Sequence, residues 1–151
     1  MKIEQYIKRS LLLAIGSSYD SVWRDLNSKL QKEDCNLLQA VILISIFFEP
    51  SETVTPSNLA AIFRTTRGNV SHCISHLERK GFVKRQLDQG DARKYRLALK
   101  LEGKRAALRL MKTIDSFEDY FEDQLGKQSV SKLIESLHMI SELRKGREVT
   151  L

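Results

Sequence analysis

Proline is nearly absent, with two in 151 residues, and glycine is sparse at seven. An all-β fold needs frequent turn residues, so that class is excluded on punctuation alone. The two cysteines, Cys35 and Cys73, offer no disulfide framework and fit a reducing compartment. No long apolar run is present. The greasiest, Ala40 to Phe48, covers nine residues and is broken by Ser45, where a membrane span needs about 20. The start of the chain has a short apolar stretch, Leu11 to Ile15, below the ~7 residues that a secretory leader's core requires. The expected location is therefore cytoplasmic, with no membrane partner. Also missing are a Gly-rich phosphate loop, a nucleophile elbow and a protease-type zinc helix. The chain is not expected to be an enzyme or to carry a cofactor. No internal repeat, low-complexity tract or linker divides it, so residues 1–151 are expected to form a single domain.

What is present is charge, unevenly placed. Charged residues make up 29% of the chain, and the net charge is +6. Between Arg64 and Arg105 there are twelve Lys or Arg against four Asp or Glu, a net of +8, so the rest of the chain is at −2. Charges serving solubility alone would not segregate in this way. A continuous basic block supplies the local field that a phosphate backbone demands.

The hydrophobic period is helical along most of the chain. Residues 3 to 31 read as one long helix, apolar on more than one face between Leu11 and Ile15, which calls for cover on two sides. Asn36 to Pro50 is apolar almost all round and is expected to be the central buried helix, with Asn36 as its cap; its β-branched residues make a strand the competing reading. Thr55 and Pro56 open a short helix with Leu59, Ile62 and Phe63 inward. After Arg64 and Thr65, Thr66 caps a second helix over Arg67 to Lys80. Its apolar residues Val70, Cys73, Ile74 and Leu77 fall at i, i+3, i+4 and i+7, and Gly81 stops it. Two helices joined by so short a turn make a helix-turn-helix. The period then changes to two over 82–87 and 94–99, on either side of the turn residues Asp88 to Asp91, which predicts a hairpin. Helical spacing returns from Leu101 to about Gly126, and again from Ser129, expected as a cap, to Arg144. The fold class expected is mainly α with a small β-hairpin: a winged helix-turn-helix flanked by N- and C-terminal helices.

The order and spacing of "TPSNLA", "LERKGFV", the wing "DAR" and the Leu99-to-Gly103 "LxxxG" resemble the MarR (multiple-antibiotic-resistance regulator) family of bacterial transcription regulators. The likeness is strongest from Thr55 to Gly103. It implies a winged-helix DNA-binding region over 36–100 and a helical dimerisation region formed by 1–35 and 101–151. It further implies a homodimer on double-stranded DNA, most often as a repressor. Such regulators often respond to a small aromatic or phenolic ligand. Tyr19, Trp23 and Phe47 are candidates to line its pocket, although core packing explains them better.

With Val70, Ile74 and Leu77 inward, Arg67, Gly68, Ser71, His72 and Ser75 face outward, and Asn69 joins them if it turns. Arg67 can chelate guanine and Asn69 can pair with adenine, while the hydroxyls and the imidazole can donate to bases or phosphates. Gly68 lets the backbone approach closely. With the cap Thr66, these seven residues form the candidate recognition surface. Asp91 and Arg93 match the family's Asp-x-Arg wing motif, whose implied role is Arg93 in the minor groove, held by Asp91. Arg85 and Lys94 are candidate phosphate contacts, as are Thr55 and Ser57 at a helix N-terminus. The competing explanations are a solvated polar face and, for the protein as a whole, an interaction module for a protein partner or for DNA without sequence preference. A metal- or redox-sensing variant of the regulator is a further alternative. His72 and His76 have zinc spacing but no further ligand is evident, so no metal site is expected. Cys35 lacks the basic neighbours that would lower its thiol's pKa.

Overall fold

The structure is a computed structural model and describes residues 2–49, 53–87 and 95–145. In chain order the elements are α1 (Ile3–Arg9), α2 (Leu11–Leu30), a 3-10 turn (Gln31–Glu33), α3 (Leu37–Phe48), α4 (Pro56–Ile62), α5 (Arg67–Arg79), β1 (Val83–Leu87), β2 (Tyr95–Leu99), α6 (Leu101–Leu125) and α7 (Lys127–Lys145). The fold class is the expected one, mainly α with one antiparallel hairpin among the described residues.

The single helix expected over 3–31 is two helices. Ser10 takes an extended conformation, and its hydroxyl accepts a hydrogen bond from the Leu13 amide at 3.4 Å. A serine offers the backbone this local alternative to a continued helix, and here it caps α2. The ambiguity over Asn36 to Pro50 resolves as a helix through a reciprocal cap. The Asn36 side chain accepts from the Gln39 amide, and the Gln39 side chain accepts from the Asn36 amide, both at 2.9 Å. Two otherwise orphaned donors are thereby satisfied at the start of α3. A third, on Leu37, donates to the Asn27 side chain of α2 at 3.1 Å. Ala40, Ile42, Leu43 and Ile46 of α3 are buried, as expected of the central helix.

The chain divides into two compact units, one ending at Thr113 and one beginning at Ile114, so the boundary lies inside α6. The core of the first combines α3 with Leu26 and Leu30 of α2, Val70, Ile74 and Leu77 of α5, Val83 and Leu97 of the hairpin, and Ala106 and Leu110 of α6. In the second, Gly126 (φ +81°) separates α6 from α7, and its carbonyl accepts from Ser129 and Val130. α7 therefore starts at Lys127, and Ser129 lies in its first turn rather than capping it.

A polar tie braces the first unit. Arg109 of α6 donates through Nε and Nη2 to the two carboxylate oxygens of Glu33, at 2.7 and 2.8 Å. The fork matches the carboxylate geometrically. These hydrogen bonds hold Glu33 below its ordinary pKa of 4.5, against a smaller opposing effect of desolvation. A carboxylate with a lowered folded pKa stabilises the fold above the unfolded value and loses that contribution as pH falls through the folded one. Arg109 is half exposed, so the pair contributes only about 0.2–1 kcal/mol. Urea unfolding of the protein and of Glu33→Gln should differ by that amount at pH 7, and the difference should vanish on acidification well below pH 4.5.

Candidate nucleic-acid interface

The helix-turn-helix is set by its caps. Thr55 accepts from the Asn58 amide at 3.2 Å, with Pro56 in the first helical position of α4. The turn reverses through Arg64, whose φ is +49°, and the Thr65 amide donates to the Ala60 carbonyl at 3.0 Å. Thr66 then accepts from the Asn69 amide at 3.1 Å and starts α5. Removing that hydroxyl with Thr66→Ala should lower stability by about 1 kcal/mol, measurable by thermal unfolding. At the far end, the Phe82 amide donates to the Leu77 carbonyl and the Gly81 amide to the Glu78 carbonyl, at 3.0 and 2.9 Å. This is a Schellman stop, and it needs the positive φ (+73°) that Gly81 adopts. Lys80 secures the same end by donating to the carbonyls of Glu33 and Asp34, at 2.6 and 3.1 Å, and by pairing with the Asp34 carboxylate.

Between these anchors α5 has two distinct faces. Val70, Cys73, Ile74 and Leu77 are buried. Arg67, Gly68, Asn69 and His72 are exposed, and Ser71 and Ser75 are half-buried. The Asn69 amide group donates to the Thr65 hydroxyl at 3.0 Å, which turns it toward the first turn of the helix. At Gly68 an added Cβ would meet only the Thr66 hydroxyl, at 3.9 Å. Packing within the protein therefore does not require glycine there. Ser57 is exposed on α4, whereas the Thr55 hydroxyl is engaged as a cap.

The hairpin pairs Val83 with Leu99, Arg85 with Leu97 and Leu87 with Tyr95. Val83 and Leu97 are buried, so this face of the sheet turns inward. Arg85 lies on it too and reaches the recognition helix. Its guanidinium donates to the Ser75 hydroxyl at 3.0 Å, lies 3.5 Å from the Glu78 carboxylate, and sits 5.0 Å from the centre of the Tyr95 ring. Sequence reasoning assigned Arg85 and Ser75 separately to DNA and overlooked Glu78. The residues are ten and seven positions apart along the chain, and only the return of the strand onto α5 brings them together. The wing residues Asp91, Arg93 and Lys94 lie outside the described residues.

His72 is exposed while Cys73 points into the core. His76 has a buried Nε2 without a hydrogen-bond partner among the described residues. No group of three metal-ligating side chains occurs among those residues. Burial pushes both cysteine thiols up in pKa, so neither is a ready thiolate. Of the three aromatic residues considered for a pocket, Tyr19 is 60% exposed, and it contacts Trp23 edge-on. It is therefore not part of the core. Phe47 does line a cavity of about 560 Å³, together with Ile46, Glu49, Gln86, Lys104 and the 97–99 stretch of β2.

Two helices across a tight turn, the second with a buried stripe and a polar outer face, followed by a hairpin, define a winged helix-turn-helix protein. Residues 36–95 match the family model described as the MarR family. No curated protein sequence matches the chain. Solved structures do. The repressor CouR bound to a 23-mer DNA duplex superposes with a TM-score of 0.82 at 20% identity, over 93% of this chain and 98% of CouR. MepR of S. aureus in complex with DNA gives 0.77 at 20% identity, over 90% and 98%. The transcriptional regulator BldR from Sulfolobus solfataricus gives 0.73 at 22%, over 94% and 98%. CouR has also been solved with p-coumaroyl-CoA, and that form matches at 0.78 and 19%, over 93% and 97%. The chain thus shares the fold of these solved transcription regulators. Among the described residues, no helix is long and apolar enough to cross a membrane.

Proposed function

We propose that the protein is a sequence-specific transcription regulator, acting as a repressor, that binds a pseudo-palindromic operator as a homodimer and is released by a small ligand. The observation that carries this reading is the exposed N-terminal end of α5. Arg67, Gly68, Asn69 and His72 are exposed on a helix whose opposite face is locked into the core. A major groove admits one such helix, and its first turns reach the base edges. Arg67 reads guanine, Asn69 adenine, and Ser71 and His72 neighbouring acceptors. Ser57 contacts phosphate, Arg93 enters the minor groove beside Asp91, and Lys94 contacts phosphate.

Dimerisation is supported by unpaired apolar surface. Ile3, Tyr6, Leu11 and Leu12 on α1 and α2, and Leu133, Ile134 and Leu137 on α7, are 44–81% exposed. Apolar surface on this scale marks an interaction site, and a symmetric partner covers it with the same surface. The ligand reading is supported by the cavity beside Phe47, where an aromatic group can lie between Ile46 and β2 while Lys104 meets a carboxylate or phenolate. The fold of a relative solved with an aromatic acyl thioester fits that reading.

Fluorescence anisotropy with labelled duplexes tests the binding claim. Affinity should fall linearly with log salt, with a slope of about −0.9 for each phosphate neutralised. Binding that is absent at low ionic strength, or indifferent to salt, would contradict it.

A further inference from the structure

We propose that Glu78 is a positioning residue: it clamps the wing to the recognition helix through Arg85, so Arg85 orients the wing instead of contacting phosphate. The proposal rests on the reading of α5 as the recognition helix. Arg85 is gripped from three sides. Ser75 accepts from its guanidinium at 3.0 Å, the Glu78 carboxylate lies 3.5 Å from Nε, and the Tyr95 ring lies beneath it, 5.0 Å away. Glu78 also accepts from the Arg85 backbone amide, at 3.4 Å, so one carboxylate meets both the side chain and the main chain of β1. Ser75 and Glu78 are three residues apart and share a helical face. Arg85 and Tyr95 come from the two strands of the hairpin. The four side chains therefore join three elements at the root of the wing.

An acidic residue on a face turned toward DNA repels phosphate. Glu78 is the only acidic residue in α5. Its charge is offset by Arg85, and the pair presents little net positive charge at this point. The clamp thus favours correct wing geometry over raw attraction to the duplex, and its expected effect is on discrimination.

The test compares Arg85→Ala, Glu78→Ala and the double variant with the unaltered protein, on a selected operator duplex and on a random duplex across a salt series. If Arg85 orients the wing, Arg85→Ala narrows the affinity ratio between the two duplexes and leaves the salt slope unchanged. Glu78→Ala frees a guanidinium, tightens binding to the random duplex and steepens the slope by about one. The double variant returns to the slope of the unaltered protein. A slope shallower by about one in Arg85→Ala, with equal loss on both duplexes, makes Arg85 a phosphate contact and overturns the clamp. Hydrogen exchange on the DNA-free protein provides an independent readout. Amides of residues 84–86 and 96–98 should exchange at least about threefold faster in either single variant, while those of α3 stay unchanged. Unchanged exchange in the hairpin overturns the clamp. Failure of the unaltered protein to bind either duplex removes the DNA reading, and the exchange result alone then decides the clamp.

Discussion

Arg67→Ala is expected to weaken binding to the operator by about 5- to 150-fold while changing affinity for random DNA far less, since a bidentate guanine contact contributes roughly 1–3 kcal/mol of discrimination. The effect follows from where Arg67 stands. It is the first residue of α5, directly after the Thr66 cap, and it is exposed. Its backbone is held by the capped first turn, so only the side chain has to order on binding. Random duplexes keep the phosphate contacts and lose nothing that depends on a base. Measured by anisotropy on both duplexes, an equal loss on the two would assign Arg67 to phosphate and remove base reading from this position.

Gly103→Ala should have the largest effect on stability. A Cβ at this residue would lie 2.0 Å from the Phe82 carbonyl oxygen and 2.7 Å from its carbon. Both are backbone atoms, and the same oxygen accepts from the Lys100 amide at 2.9 Å. No side-chain rotation relieves the clash, so α6 must move away from the start of the hairpin. Overpacking of this kind costs about 1–3 kcal/mol or more, which in a chain of this size lowers Tm by roughly 2–4 °C per kcal/mol. Gly16→Ala is the matched contrast. Gly16 lies inside α2 with nothing within 4 Å of an added Cβ, so alanine there should stabilise by about 0.5–1 kcal/mol. The same substitution at two helical glycines is thus expected to shift Tm in opposite directions, as calorimetry would show.

The elements that could be read from the sequence are those whose determinants are local. Asn36, Thr55 with Pro56, Thr66 and Gly81 each act within four residues of themselves, and each caps or stops the helix anticipated for it. The stripe of Val70, Cys73, Ile74 and Leu77 shows the inward face of α5 in the same way. Ser10 escaped notice because it interrupts a run whose apolar period continues on both sides. The helical spacing ends near Gly126 as expected, but the next helix starts directly after it and not at Ser129, because the break is made by the positive φ of Gly126. Long-range pairings left no local signal. Arg109 meets Glu33 across 76 positions, and the "LxxxG" glycine is explained only when α6 is laid against Phe82. The partnership of Arg85 with Ser75 and Glu78 belongs to this second group. From composition alone, an arginine in a basic block is most simply a phosphate ligand.

Selection of bound duplexes from a random DNA pool tests the central claim most directly. Two recognition helices related by a two-fold axis should enrich an inverted repeat, with half-site centres about 10 base pairs, or roughly 34 Å, apart. A pool that stays random after repeated selection, or that yields one unrepeated half-site, would contradict a symmetric, base-reading regulator.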